Sequence, residues 1–167
     1  DASTDVWPKP QKVSSTSTTP IAAEQLDAAS VKNFPALIDA FKSRNLRPSG
    51  KIGIKTISGD TAKSALDAAQ IKAVPGAYLL KVSSDGISIA AADADGIFYA
   101  TQTLAQKIAA DGKLTPSTVA DWPDMPFRGS IEGFYGKPWE HARRLSQIQF
   151  YGKYKMNAYI YGPKDDP

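Results

Sequence analysis

The chain has 167 residues, 42% hydrophobic and 22% charged, a composition that suits one globular domain or one domain with part of a second. Its net charge is +3, and the 20 basic and 17 acidic residues are spread so evenly that no basic stripe for a nucleic acid is present. With no Cys, disulfides and thiolate chemistry are excluded, and a single His141 makes a histidine zinc site or a Ser-His-Asp triad within this chain impossible or nearly so. No apolar run approaches the roughly 18 residues needed to span a bilayer. Chemistry must come from carboxylates, Lys, Tyr or backbone groups, and neither a metal nor a cofactor is expected.

The chain opens on Asp1-Ala2-Ser3 without Met, as it would after removal of a signal peptide or at any other boundary. Pro8 and Pro10 bar a central strand from the first residues, while Val6, Trp7 and Val13 supply apolar anchors. An ordered edge is the better reading of residues 1–20. Pro35 at a first helical turn, with Leu37, Ile38 and Phe41 behind it and Pro48-Ser49-Gly50 ahead, predicts a helix over about 35–44. Lys51 to Lys55 alternates as a strand, and a short helix follows Asp60-Thr61 with Ala62, Ala65, Leu66 and Ala69 on one face.

Tyr78, Leu80 and Val82 share one face of a strand, and Ile87, Ile89 and Ala91 one face of its return. Ser84-Asp85-Gly86 between them predicts a hairpin. Asp95 is placed to cap a longer helix whose Ile97, Phe98, Thr101, Leu104, Ala105 and Ile108 form a wide stripe. These elements predict an α+β fold over 1–120, a small antiparallel-rich sheet with helices on one face. Residues 121–127, with Pro123 and Pro126 among Trp122, Met125 and Phe127, read as a packed connection to a second region. Over 128–167 the pattern is strand (129–133), helix (140–154, with Ala142, Leu145, Ile148 and Tyr151 spaced for burial) and strand (156–161). Strands joined in this way run parallel and form a βαβ unit.

Two motifs flank that helix. Glu132-Gly133-Phe134-Tyr135-Gly136-Lys137-Pro138-Trp139 follows the first strand, and Tyr161-Gly162-Pro163-Lys164-Asp165-Asp166-Pro167 ends the second. Parallel strands put both motifs at one end, where barrel enzymes keep their chemistry. With Arg128-Gly129-Ser130-Ile131 before the first and Lys155 to Ile160 before the second, residues 128–167 resemble the start of the catalytic barrel of glycoside hydrolase family 84, the β-N-acetylglucosaminidases. Residues 1–120, with Trp7-Pro8-Lys9-Pro10 and Trp122-Pro123, more loosely resemble the small domain preceding the barrel in family 84 and family 20 enzymes.

The resemblance implies the first βαβ unit of an incomplete (β/α)8 barrel in a retaining hydrolase of terminal β-linked N-acetylglucosamine. In such enzymes the substrate's acetamido oxygen attacks the anomeric carbon, outside the usual two-carboxylate scheme. It implies that Gly133, through its backbone, and Lys164, through its ammonium group, bind sugar hydroxyls. It places the catalytic Asp pair beyond Pro167, so no catalytic residue lies in this chain and Asp165-Asp166 is not that pair. It further implies a secreted or periplasmic enzyme whose partners are an N-acetylglucosamine-containing glycan or glycoprotein and the rest of its own barrel. The alternative is a non-catalytic carbohydrate-binding or scaffolding domain.

The residues also have plainer readings. Gly133 lets the backbone approach a ligand without a Cβ. Tyr135 is open between stacking on a sugar and packing, whereas Phe134 and Trp139 are expected to pack. Glu132 and Asp165 read as ion-pair partners of Lys164 or Arg128, or as loop caps, rather than as acid catalysts. His141 is expected to be an exposed first-turn residue.

Overall fold

The computed structural model describes residues 6–133 and 137–162. The chain divides into two compact units, 1–124 and 125–167. The first is built on a five-stranded sheet of β1 (Lys12–Ser15), β3 (Ile54–Ile57), β4 (Tyr78–Val82), β5 (Ile87–Ala91) and β7 (Ser117–Asp121), in the order β1-β7-β4-β5-β3. Every pairing is antiparallel except β3 with β5. A small ladder joins β2 (Ile21–Ala22) to β6 (Lys113–Leu114). The helices are α1 (Ala28–Lys32), α2 (Pro35–Ser43), α3 (Gly59–Ala68) and α4 (Ala94–Lys107). The antiparallel-rich α+β layer is thus present, and the leading segment supplies an edge strand.

Strand alternation decides what each face buries. Tyr78, Leu80, Val82, Ile87, Ile89 and Val119 point to one side, where Leu37 and Phe41 of α2 and Leu104 of α4 close the main core. Leu79, Ala90 and Ala120 point to the other, and Ala62 and Leu66 of α3 cover them together with the partly buried Trp122. Helices α1, α2 and α4 therefore share one face, whereas α3, expected there too, takes the second. Small residues at 90 and 120 leave room for it. Of the apolar residues in the connection, only Trp122 packs in this way; Met125 and Phe127 are exposed.

Several boundaries differ from the sequence pattern. Strand β3 starts at Ile54 rather than Lys51, because Ile52 makes an isolated bridge to Leu26 before the ladder with β5 begins. Asp95 does not cap α4. Asp93 does, accepting from the Gly96 N–H at 2.8 Å, and its carboxylate also holds the Gly76 N–H at 3.1 Å. The neighbouring Ala77 carbonyl lies where a Cβ on Gly96 would stand, 2.5 Å away, so glycine is required at this close approach. Helix α1 escaped notice because it is too short to show a period. Its signal is local: Asp27 caps the Ser30 N–H at 2.8 Å, and Ser30 Oγ in turn accepts from the Ile54 N–H at 2.9 Å.

Inside the main core, Tyr78 is fully buried with its hydroxyl 2.6 Å from Thr103 Oγ1 and donating to Asp121 Oδ2 at 3.0 Å. Burial, with the Asp121 charge behind it, pushes the phenol well above its ordinary range. The bonds tie α4 to β4 and β7. We expect Tyr78→Phe to cost about 1–3 kcal/mol, since it removes a partner from the buried Thr103 hydroxyl. Urea unfolding followed by circular dichroism measures this, and an unchanged midpoint would deny these bonds a net role.

Candidate functional site

The second unit consists of β8 (Gly129–Glu132), α5 (His141–Lys153) and β9 (Ala158–Tyr161). The strands pair in parallel as predicted, with Gly129 opposite Ala158, Ile131 opposite Ile160 and Glu132 opposite Tyr161. Their N-terminal ends are fastened by the Arg128 carbonyl, which accepts from the Asn157 and Ala158 N–H groups at 2.7 and 3.0 Å. At Gly129 the chains pass so closely that a Cβ would stand 1.6 Å from the Ala158 carbonyl oxygen. At the opposite ends the Gly162 N–H donates to the Glu132 carbonyl at 3.1 Å.

That last bond settles where the first motif lies relative to the start of the second. Gly133, exposed, and Gly162 follow directly from paired residues, and a Cβ on Gly133 would lie 4.0 Å from the Gly162 carbonyl oxygen. Both therefore sit at the C-terminal ends of adjacent parallel strands. Tyr135, Lys164 and Asp165, the other residues singled out, lie outside the described residues, as do Phe134 and Asp166. Trp139, expected to pack, is 36% exposed and acts through its backbone. His141 is the exposed first residue of α5.

The group missed by sequence reasoning lies beneath these ends. Glu132 is 4% exposed, and its carboxylate accepts Arg144 Nε at 2.9 Å and Nη2 at 3.0 Å, the Tyr159 hydroxyl, and the Trp139 N–H at 3.3 Å. Its reading as a structural ion pair holds, and the partner among the described residues is Arg144 rather than Arg128; Lys164 lies outside them. Arg128 instead donates to the Lys155 and Met125 carbonyls at 3.0 and 2.7 Å. A helix-borne arginine reaches the strand because α5 turns a polar face toward β8 and β9. Arg144, Gln147 and Tyr151 lie on that side, with the Tyr151 hydroxyl bonded to Ser130 Oγ and to Gln147. Of the stripe expected to be buried, only Tyr151 is; Leu145 and Ile148 are about half exposed.

The electrostatics follow from this geometry. The Arg144 guanidinium beside Glu132 holds the carboxyl down at about 2 against an ordinary 4.5, with the Tyr159 and Trp139 bonds adding to the effect and burial opposing it. The Tyr159 phenol is raised in return, mainly by its bond to Glu132. A carboxylate held ionised in this way can accept hydrogen bonds and cannot deliver a proton near neutral pH. Among the described residues no cluster of His, Cys, Asp or Glu could hold a metal ion.

Comparison with known proteins bears on both units. Residues 3–122 match the family described as glycosyl hydrolase family 20, domain 2, and residues 128–167 match the one described as beta-N-acetylglucosaminidase. The chain belongs to the first of these families. Taken whole, its relationship is to family 84 and hexosaminidase-type glycoside hydrolases. The solved structure of CpGH84B covers 97% of the chain at 26% identity with a TM-score of 0.71, and the chain covers 30% of it. A family 20 exo-β-N-acetylglucosaminidase from Vibrio harveyi, solved with N-acetylglucosamine, shares the fold at 21% identity and a TM-score of 0.65 over 96% of this chain and 25% of its own. The rat protein O-GlcNAcase is 45% identical over 38 residues, 23% of this chain. The chain spans 4% of the length of that curated relative.

Because the folded value of Glu132 lies below its ordinary one, the carboxylate stabilises the second unit fully above about pH 4.5 and loses that contribution as the pH falls towards 2. We expect the Glu132 side-chain carboxyl 13C shift to titrate with a midpoint near 2. A midpoint near 4.5 would mean that the Arg144 pair does not form in solution.

Proposed function

We propose that the chain is the N-terminal part of a retaining glycoside hydrolase that removes terminal β-linked N-acetylglucosamine by substrate-assisted catalysis. One observation carries the reading: Gly133 and Gly162, from the two motifs of the segment matching the β-N-acetylglucosaminidase family, stand side by side at the C-terminal ends of paired parallel strands. Barrel enzymes place their ligands at that end. In this reading the Gly133 backbone and the Lys164 ammonium group bind sugar hydroxyls, with Tyr135 and Asp165 bordering the same pocket. The acetamido-polarising and acid–base carboxylates come from a later strand.

The βαβ unit supports assignment to a (β/α)8 barrel through its inner face. Ile131 and Ile160 are paired on the side away from α5 and more than half exposed, and branched residues at such positions fill the layers of a barrel interior. A closed barrel takes about 250 residues, so residues 128–167 supply a first portion only. The same reading sets the enzyme in a secreted or periplasmic space, where terminal glycan residues are met.

A groove of about 640 Å³ beside the β4–β5 turn favours a second role for the first unit, glycan binding. Its lining includes Lys55, Lys81, Ser88 and Thr118, which pair in one row across four strands. Titrating the chain with N-acetylglucosamine oligomers would shift their amide signals; no shift would leave this unit a scaffold.

For the enzymatic reading, we expect a complete protein carrying this chain to hydrolyse an aryl β-N-acetylglucosaminide and residues 1–167 alone to show no turnover. In the complete protein, Lys164→Ala should weaken sugar binding by about 1.5–3 kcal/mol, the loss of a charge-assisted bond. Wild-type affinity in that variant would remove Lys164 from the site.

A further inference from the structure

Arg144 reaches both strand ends at once. Its Nε and Nη2 form a bidentate pair with Glu132, the last residue of β8, and its guanidinium carbon lies 4.6 Å from the ring centroid of Tyr161, the last residue of β9. Glu132 and Tyr161 are directly paired in the ladder. The Glu132 carboxylate also takes the Trp139 N–H, so the segment that leaves β8 at Gly133 is fastened to the same carboxylate where it approaches α5. One side chain on the helix thus joins the end of β8 to the end of β9, and its partner Glu132 holds the return of the first motif.

We infer that Arg144 is a positioning residue, fixing the separation of the Gly133 and Gly162 backbones so that the two motifs can grip one ligand. The inference rests on the proposed sugar site for its consequence, although the clamp itself can be tested without a sugar. The chemistry is particular to arginine. A planar guanidinium can hold a carboxylate with two parallel bonds while laying its face on an aromatic ring. An ammonium group is a point charge that cannot make two parallel bonds to Glu132 while lying flat on Tyr161. Lysine at this position therefore separates positioning from mere charge compensation.

The two ends of the ladder provide an internal control. At the near end the Gly162 N–H bonds to the Glu132 carbonyl; at the far end the Ala158 N–H bonds to that of Arg128. In Arg144→Lys of the 167-residue chain we expect Gly162 amide exchange to quicken about tenfold while Ala158 is unchanged, because opening is local. Unchanged exchange at Gly162, or an equal gain at both ends, would overturn the inference, the latter by showing general destabilisation. Tyr161→Leu, which keeps Glu132 and Arg144 paired, should give the same selective loss at Gly162, and its failure to do so would be equally damaging. In the complete protein Arg144→Lys should raise KM for an aryl β-N-acetylglucosaminide about tenfold with kcat little altered; an unaltered KM would refute the functional consequence. If the wild-type complete protein has no such activity, the proposed function falls and the exchange experiment alone judges the clamp.

Discussion

A carboxylate taken out of water must be paired, and in the second unit that requirement organises the surroundings. Glu132 is buried at the end of a short strand, where an unpaired charge would be strongly destabilising. Arg144, Tyr159 and the Trp139 N–H meet it from a helix, a neighbouring strand and a returning segment. None of these could move away without leaving the charge short of a partner. The orientation of α5 follows: it presents Arg144 and Tyr151 to the strands, which leaves Leu145 and Ile148 exposed. Specific geometry, more than apolar area, holds this unit together.

The first unit works by different means. Its sheet is covered on both faces, by α2 and α4 on one and α3 on the other, and its largest fully buried side chains include Tyr78 and Leu80 of β4, Ile89 of β5, Leu37 of α2, Leu66 of α3 and Leu104 of α4. This is ordinary hydrophobic burial, and in the longer elements such burial writes itself into sequence as period. The hairpin was legible from alternation around Ser84-Asp85-Gly86, and α2 from Pro35 and the residues behind it. The five residues of α1 and the two-residue strands β2 and β6 carry no period. The cap of α4 was misplaced by two residues because Asp93 and Asp95 offer the same chemistry, and only the accompanying bond to Gly76 distinguishes them.

At the candidate site, the motif spacing sufficed to place Gly133 and Gly162 at one end of parallel strands, because connectivity alone dictates it. It could not identify the partner of Glu132. Periodicity assumes that the side of a strand facing a helix is apolar, and here Ser130, Glu132, Tyr159 and Tyr161 take that side while Ile131 and Ile160 face away. The useful signal was the Glu132 to Arg144 pairing across one loop and one helical turn, visible only once the helix is known to turn its polar face inward. Tyr135, Lys164 and Asp165 belong to the part of the site argued from resemblance.

The contrast between the units bears on which reading of the chain is physically economical. Two strands and one helix make a marginal fold in water, and this set also exposes Ile131, Ile160, Leu145, Ile148 and Phe150. An autonomous binding module would gain nothing from such surfaces. A barrel uses both kinds: branched side chains on the strands' inner face fill its interior, and apolar residues on a helix flank meet adjacent helices of the outer ring. The buried Glu132–Arg144 pair makes sense in the same setting, since apolar packing from neighbours is non-directional and would leave the angle between strand end and helix loosely set. A directional ion pair at the C-terminal ends of the strands fixes that angle, and under the proposed function that is where an error of an ångström matters most.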